Sequence, residues 1–95
     1  MWTGKRGELE IYADILSALA DDKLKKTHVS HKANLDSRAT DRYLQSLIKM
    51  KMVTRHGDDT SYFVIEQRGR HFLEVYEELL GFCGIESAMK PSLET

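Results

Sequence analysis

Apolar residues along this chain recur first at helical spacing, then at strand spacing, and then at helical spacing again. From Glu8 to Ala20, Leu9, Tyr12, Leu16 and Leu19 fall on one stripe with Ile11 and Ile15 beside it, which predicts a helix buried over a wide face. The polar DDKLKK breaks the pattern. Thr27 is placed to cap a short second helix, Thr27 to Ala33, that exposes His28, His31 and Lys32 and turns Val29 and Ala33 inward. Asn34 to Asp36 suits a tight turn, because Asn tolerates left-handed backbone and Asp36 or Ser37 can accept a bond from the free amides of a following helix.

That third helix sorts cleanly at about 100° per residue. Ala39, Tyr43, Leu44, Leu47, Ile48 and Met50 share one side with Thr40, and Arg38, Asp41, Arg42, Gln45, Ser46 and Lys49 lie opposite. The period then changes. MVTRHGDDTSYFVI reads as two short strands, Met52 to His56 and Ser61 to Ile65, joined by a turn at Gly57, Asp58 and Asp59. Glu66 to Leu80 returns to helical spacing with Phe72, Leu73, Tyr76 and Leu80 as its main stripe, and Gly81 and Gly84 discourage continuation. Three helices with a short second one, a β-hairpin and a closing helix predict an α+β fold, mainly α, of the winged helix-turn-helix class. The expected organisation is an N-terminal arm over residues 1–7, one domain over 8–80 that includes the C-terminal helix, and a flexible tail over 81–95.

Composition narrows the function classes. The chain has 95 residues, 41% apolar and 31% charged, as suits one compact core. No run approaches the roughly 18 consecutive apolar residues of a membrane span, and MWTGKRGELE lacks a signal-peptide core, so the expectation is a cytoplasmic protein without membrane association. Cys83 is the single cysteine, which cannot form an internal disulfide and has no evident base or metal partner. The net charge of −1 hides a partition: residues 1–20 carry −1, residues 21–60 carry +3 and residues 61–95 carry −3. An anionic partner is therefore expected at the middle of the chain, where His28, His31 and His56 add charge as pH falls toward about 6.5.

Three stretches carry a likeness to known proteins: GELEIYADIL, KTHVSHKANLDSRATDRYLQSLIKMKMV and VIEQRGRHFLEVYEEL. In order and spacing they resemble the small archaeal winged-helix DNA-binding proteins of the Sulfolobus ten-kilodalton type and related archaeal transcriptional regulators. The most telling pieces are the Ala33-Asn34-Leu35 turn, Arg42-Tyr43-Leu44, and Gly69 near the start of the last helix. The resemblance implies a helix-turn-helix between Thr27 and Met50, a wing at Arg55 to Thr60, and dimerisation through the last helix. The chain departs from that family at Ser30 and His31, where members carry bulky apolar residues, and at Gly81 and Gly84, which interrupt the long C-terminal coiled coil found there.

The polar side of helix 3 has the chemistry of base reading. Arg spans guanine bidentately and Gln does so with adenine, and Arg38, Arg42 and Gln45 share a face. Asp41 among them either orients the arginines or accepts from cytosine; Ser37 opens the same helix. The bland alternative is a solvated face with local ion pairs worth about 0.2–0.5 kcal/mol each. Phosphate contacts are expected from Lys25, Lys26, Thr27 and His28 at the start of helix 2, and from Lys49 and Lys51 at the far end of helix 3. Arg55 enters the wing, while Asp58 and Asp59 at its tip should avoid phosphate. Val75, Leu79 and Phe82 widen the apolar arc of the last helix, either as a homodimer contact or as the completion of a small core.

Other chemistries are thinly represented. Tyr62 and Phe63 alternate on a strand, which offers one exposed ring where single-strand binding needs several. His28 and His31 have a metal-compatible spacing but no evident third or fourth ligand. No phosphate loop, nucleophile elbow or telling carboxylate pair occurs, so neither catalysis nor a cofactor is expected. The expected partner is double-stranded DNA, and the expected role is a small transcriptional regulator or nucleoid-associated chromatin protein. The alternative is a protein-interaction module on the same fold without DNA binding.

Overall fold

A computed structural model describes residues 6–84. Seven elements follow one another: α1 (Glu8–Ala20), β1 (Leu24–Lys25), α2 (Lys26–Ala33), α3 (Ser37–Lys49), β2 (Val53–Arg55), β3 (Tyr62–Ile65) and α4 (Gln67–Phe82). The three strands form one antiparallel sheet in the order β1-β3-β2. This is the winged helix-turn-helix arrangement, with β2 and β3 as the wing.

The periodicity that predicts α1 becomes its buried face, where Ile15, Leu16 and Leu19 are shut off from solvent and Ile11 and Ala13 nearly so. Glu8 and Glu10 in its first turn complement the positive end of the helix dipole. Leu9, expected on the buried stripe, is instead 54% exposed. It lies at the open end of α1, beyond the reach of the core.

Two turns fix the helix-turn-helix and its exit. Asn34 takes left-handed backbone (φ 57°), and the amides of Asn34 and Leu35 close onto the carbonyls of His31 and Ser30. Asp36 then caps α3, its carboxylate accepting from the Ala39 amide at 2.7 Å. The end of α3 repeats the closure: Lys51 is left-handed (φ 64°), its amide donates to Ile48, and the Met52 amide donates to Leu47. The chain thus leaves α3 in a fixed direction and enters β2 at once.

The sheet closes the core from the other side. Leu24 lies opposite Phe63, Val53 opposite Ile65, and Arg55 opposite Phe63, so the inward face carries Leu24, Val53, Phe63 and Ile65. Lys25 lies opposite Tyr62 on the outward face. Leu44 and Leu47 of α3 are buried with Val29 of α2 and the α1 residues. Each such side chain contributes about 1.5–3 kcal/mol when fully buried, so α3 is held from behind and its polar face is not needed for packing.

Gly69 sets the seat of α4. A Cβ there would meet the Met52 carbonyl oxygen at 2.6 Å, Ile65 Cγ1 at 2.9 Å and Leu16 Cδ2 at 3.0 Å. Only glycine lets α4 lie this close to the start of β2 and to α1.

Several boundaries differ from the sequence expectation. Helix 2 begins at Lys26 with Lys25 at its cap position and no side-chain capping bond, so Thr27 is inside the first turn and does not cap. The strands are shorter, Val53–Arg55 and Tyr62–Ile65. The last helix runs through Gly81 to Phe82, since one glycine in a turn with no steric conflict weakens a helix without ending it. Of the expected arm and tail, residues 1–5, including Trp2, and residues 85–95 lie outside the described residues.

Candidate nucleic-acid interface

The outer side of α3 carries Arg38, Asp41, Arg42, Gln45 and Lys49, all exposed, with Ser37 exposed at its start and Ser46 half-buried at its margin. No segment of the chain among the described residues lies over this face. The side chains of Arg38, Gln45 and Lys49 have no hydrogen-bond or ion-pair partner among the described residues.

Asp41 does not pair with Arg38 as a local ion-pair face would have it. Its carboxylate accepts from Lys26 Nζ at 3.0 Å, bridging the start of α2 to the middle of α3. Half of that contact is well exposed, so its contribution to stability is about 0–1 kcal/mol. Its consequence is positional: Lys26 is engaged within the protein and Arg38 is left unpaired. The Arg42 guanidinium lies 5.0 Å from the Tyr43 ring centroid, and Tyr43 itself packs edge-on to Tyr12 of α1 at 5.6 Å. Arg42 therefore rises from a ring anchored on the core.

Beneath this face α2 and α3 are locked by a polar pair. Ser30 Oγ donates to Thr40 Oγ1 at 2.7 Å, and Thr40 Oγ1 donates onward to the Asp36 carbonyl at 2.8 Å. Thr40 is fully buried. Ser30, a departure from the apolar residues expected at that position, thus satisfies a buried hydroxyl at the helix crossing.

Arg6 is a positioning residue that the sequence pattern does not single out. Its guanidinium donates to Asp14 Oδ2 at 2.6 Å, to the Ala33 carbonyl at 2.7 Å and to the Asn34 carbonyl at 2.9 Å. It joins α1 to the turn between α2 and α3, using carbonyls that the end of α2 leaves without helical partners. It precedes the first apolar stripe, and no periodicity points to a residue in that position.

The start of α2 presents Thr27 and His28 exposed. Lys25 is drawn to the wing: its Nζ lies 5.4 Å from the Tyr62 ring centroid, and so does that of Lys23. Phe63 is buried, so the wing offers one ring, Tyr62, on its outward face. Arg55 is exposed but folds back along its own hairpin. Its guanidinium lies 4.8 Å from the Phe63 ring centroid and donates to the Thr60 carbonyl at 3.0 Å.

The wing tip is acidic and internally bonded. Asp59 accepts from Ser61 Oγ at 2.6 Å and from the Ser61 amide at 3.1 Å. The Ser61 hydroxyl, and then its amide, hold the Asp59 carboxyl below its ordinary value. The Asp58 amide donates to His56 Nδ1 at 3.3 Å. His28 and His31 are both exposed on α2, and among the described residues no group of three or more His, Cys, Asp or Glu side chains is placed to hold a metal.

On α4 the residues expected to widen the apolar arc do not complete the core. Val75 is 47% exposed, Leu79 51% and Phe82 88%. Together with Leu9 they are the large apolar side chains left in solvent among the described residues.

A family model described as winged helix-turn-helix matches residues 5–82. The chain belongs to the winged helix-turn-helix family. Two solved structures show the same fold in other proteins. The adhesin competence repressor AdcR of Streptococcus pyogenes is 22% identical, with a TM-score of 0.58 over 76% of this chain and 65% of its own. ZitR of Lactococcus lactis, as a C30S mutant, is 15% identical, with a TM-score of 0.54 over 86% of this chain and 65% of its own. This winged helix-turn-helix therefore spans about two thirds of each of those longer chains. No curated protein matches it. Among the described residues no helix is long and apolar enough to cross a membrane.

Proposed function

We propose that the chain binds double-stranded DNA by laying α3 in the major groove and acts as a small transcriptional regulator. One observation carries this reading: the face with Arg38, Arg42 and Gln45 is exposed and held rigidly from behind, while the core does not need it. Arg38 and Arg42 read guanine and Gln45 reads adenine. Ser37 and Asp41 lie beside them at the groove edge. Lys49 at one end of α3, with Lys25, Thr27 and His28 at the start of α2, faces the phosphates, and Lys26 does so only by leaving Asp41. Arg55, folded back over Phe63, serves DNA only by leaving its internal bond.

Regulation suits this reading better than bulk chromatin coating, because a net charge of −1 and an acidic wing tip give weak nonspecific attraction. One of the solved neighbours is a repressor by name, which supports the same class of role. The likeness of the three sequence stretches supports an archaeal regulator of the ten-kilodalton type, working in the cytoplasm on the nucleoid. No catalytic role is assigned to any residue.

Two copies are proposed to pair through α4, with Val75, Leu79 and Phe82 as the contact and Leu9 of the adjoining α1 at its margin. Such a dimer places two recognition helices on half-sites roughly one helical turn apart. A sedimentation experiment that finds only monomer at high concentration removes the dimer.

A second reading is favoured by the same exposed apolar residues and by Asp58 and Asp59: a protein-interaction module without DNA binding. Salt separates the two. Affinity for a mixed-sequence duplex must fall steeply between about 50 and 200 mM salt if several phosphates are neutralised, whereas an apolar protein contact scarcely changes. Absence of duplex binding at low salt, together with a salt-insensitive protein complex, favours the module.

A further inference from the structure

The corner between β1 and β3 holds two ammonium groups on one ring. Lys25 lies directly across from Tyr62 in the sheet, and Lys23, two residues earlier, shares its outward side. Both Nζ atoms lie 5.4 Å from the Tyr62 ring centroid. Neither has a carboxylate within ion-pair distance among the described residues, whereas the next lysine, Lys26, is neutralised by Asp41 at 3.0 Å. Two cations resting on one ring, with Asp59 acting on Lys25 but not within ion-pair distance of it, attract an anion that can contact both.

We infer that Lys23, Lys25 and Tyr62 form a phosphate clamp for the DNA backbone, placed on the flank of the wing instead of at its tip. The inference rests on the DNA-binding reading and adds Lys23 and Tyr62 to the residues that carry it. Its position favours duplex DNA as the anion. The Lys26–Asp41 bridge ties this corner to the middle of α3, so a strand running beside the recognition helix passes the two free ammoniums. The tip is unsuited to the task because Asp58 and Asp59 occupy it, and the Asp59 carboxylate interacts with Lys25 from that side. Tyr62 gives the two flexible lysine side chains a common resting place, which reduces the entropy lost when phosphate binds. Its hydroxyl is a further donor of the kind that contacts phosphates.

The test is the salt dependence of duplex binding by the full chain, followed by fluorescence anisotropy on a mixed-sequence duplex. Lys23→Gln with Lys25→Gln is expected to lower the slope of log affinity against log salt by about 1.8, for two phosphate contacts at about 0.9 each. Arg68→Gln with Arg70→Gln makes the same change in net charge at exposed sites on α4 and is expected to leave the slope unaltered. Tyr62→Thr keeps a strand-forming residue and is expected to weaken binding about two- to fivefold. The clamp is overturned if the lysine pair lowers the slope no more than the α4 arginine pair. A wild-type chain that binds no duplex at low salt overturns the DNA-binding reading together with the clamp, so the two failures are told apart.

Discussion

Ser30 and Thr40, on neighbouring helices of the helix-turn-helix, are joined hydroxyl to hydroxyl at 2.7 Å, and the Thr40 hydroxyl donates a hydrogen bond to the Asp36 carbonyl. The pair ties the crossing of α2 and α3 to the residue that caps α3. Replacing either alone leaves the other's bonding incomplete in a buried place. Ser30→Ala and Thr40→Val are each expected to cost about 0.5–1.5 kcal/mol, with Thr40→Val at the upper end because it removes both hydroxyl bonds, although the residue-40 amide still donates to the Asp36 carbonyl at 3.0 Å. The double variant should cost less than the two singles added together, as groups in one network do. Urea unfolding of the four proteins measures this; strict additivity would show that the pair does not act as a unit.

Gly69 permits an approach that no side chain tolerates. Gly69→Ala places a methyl group 2.6 Å from the Met52 carbonyl, a backbone atom that is also bonded to the Glu66 amide at 2.8 Å. The expected loss is about 1–3 kcal/mol from overpacking. Gly81 lies in the same helix with nothing near its Cβ position, so Gly81→Ala should stabilise by up to about 1 kcal/mol. Thermal unfolding that shifted both variants in the same direction would contradict the close approach of α4 to β2.

Arg6 carries three bonds for one side chain. Arg6→Ala removes the donors from the Ala33 and Asn34 carbonyls and unpairs Asp14, with an expected cost of about 1–3 kcal/mol. Arg6→Lys should recover only part of it, because an ammonium lacks the planar fork that spans two carbonyls and a carboxylate. Equal stability of the lysine variant and the wild type would show that only the charge matters.

Asp59 provides a pH test of the wing. Its carboxyl is held below the ordinary 3.8 by Ser61, so its bonded state is favoured above that value and is lost as pH falls through the lower, folded pKa. NMR titration should place the Asp59 midpoint below 3.8, and Ser61→Ala should return it toward 3.8. A midpoint unaltered by Ser61→Ala would mean that the wing turn is not closed in solution by this pair.

The helices were readable because each buries one stripe at 3.6-residue spacing and ends on a residue with a plain backbone role. Asn34 in the left-handed turn and Asp36 on the Ala39 amide both take the roles their chemistry suggests. Gly69, notable in the sequence only as part of the family likeness, owes its role to a close approach that the folded structure alone displays. β1 leaves no pattern in the sequence, since two residues are too few to show alternation and its pairing with β3 is long-range. Lys23 therefore carries no signal of its own in the sequence, because only that pairing brings the lysines onto Tyr62.

The polar face of α3 was legible as a face, but not its internal pairing. The Lys26–Asp41 bridge links residues fifteen apart on different helices, whereas local spacing offered Arg38 as the partner. Arg6 and the folding back of Arg55 share that cause: each depends on backbone carbonyls or a ring brought near by the folded chain. Thr27 has a capping side chain yet lies inside the first turn of α2, because a residue of that type one position inside a helix looks the same in sequence.

The most direct measurement is duplex selection with the wild-type chain, followed by anisotropy of the selected and a mixed-sequence duplex with Arg38→Ala plus Arg42→Ala. Each arginine that reads guanine should contribute about 1–3 kcal/mol of discrimination. The variant is therefore expected to fold normally, bind mixed sequence within a few-fold of wild type at low salt, and lose at least about tenfold of its preference for the selected site. A variant that keeps the full preference would contradict base reading by the outer face of α3.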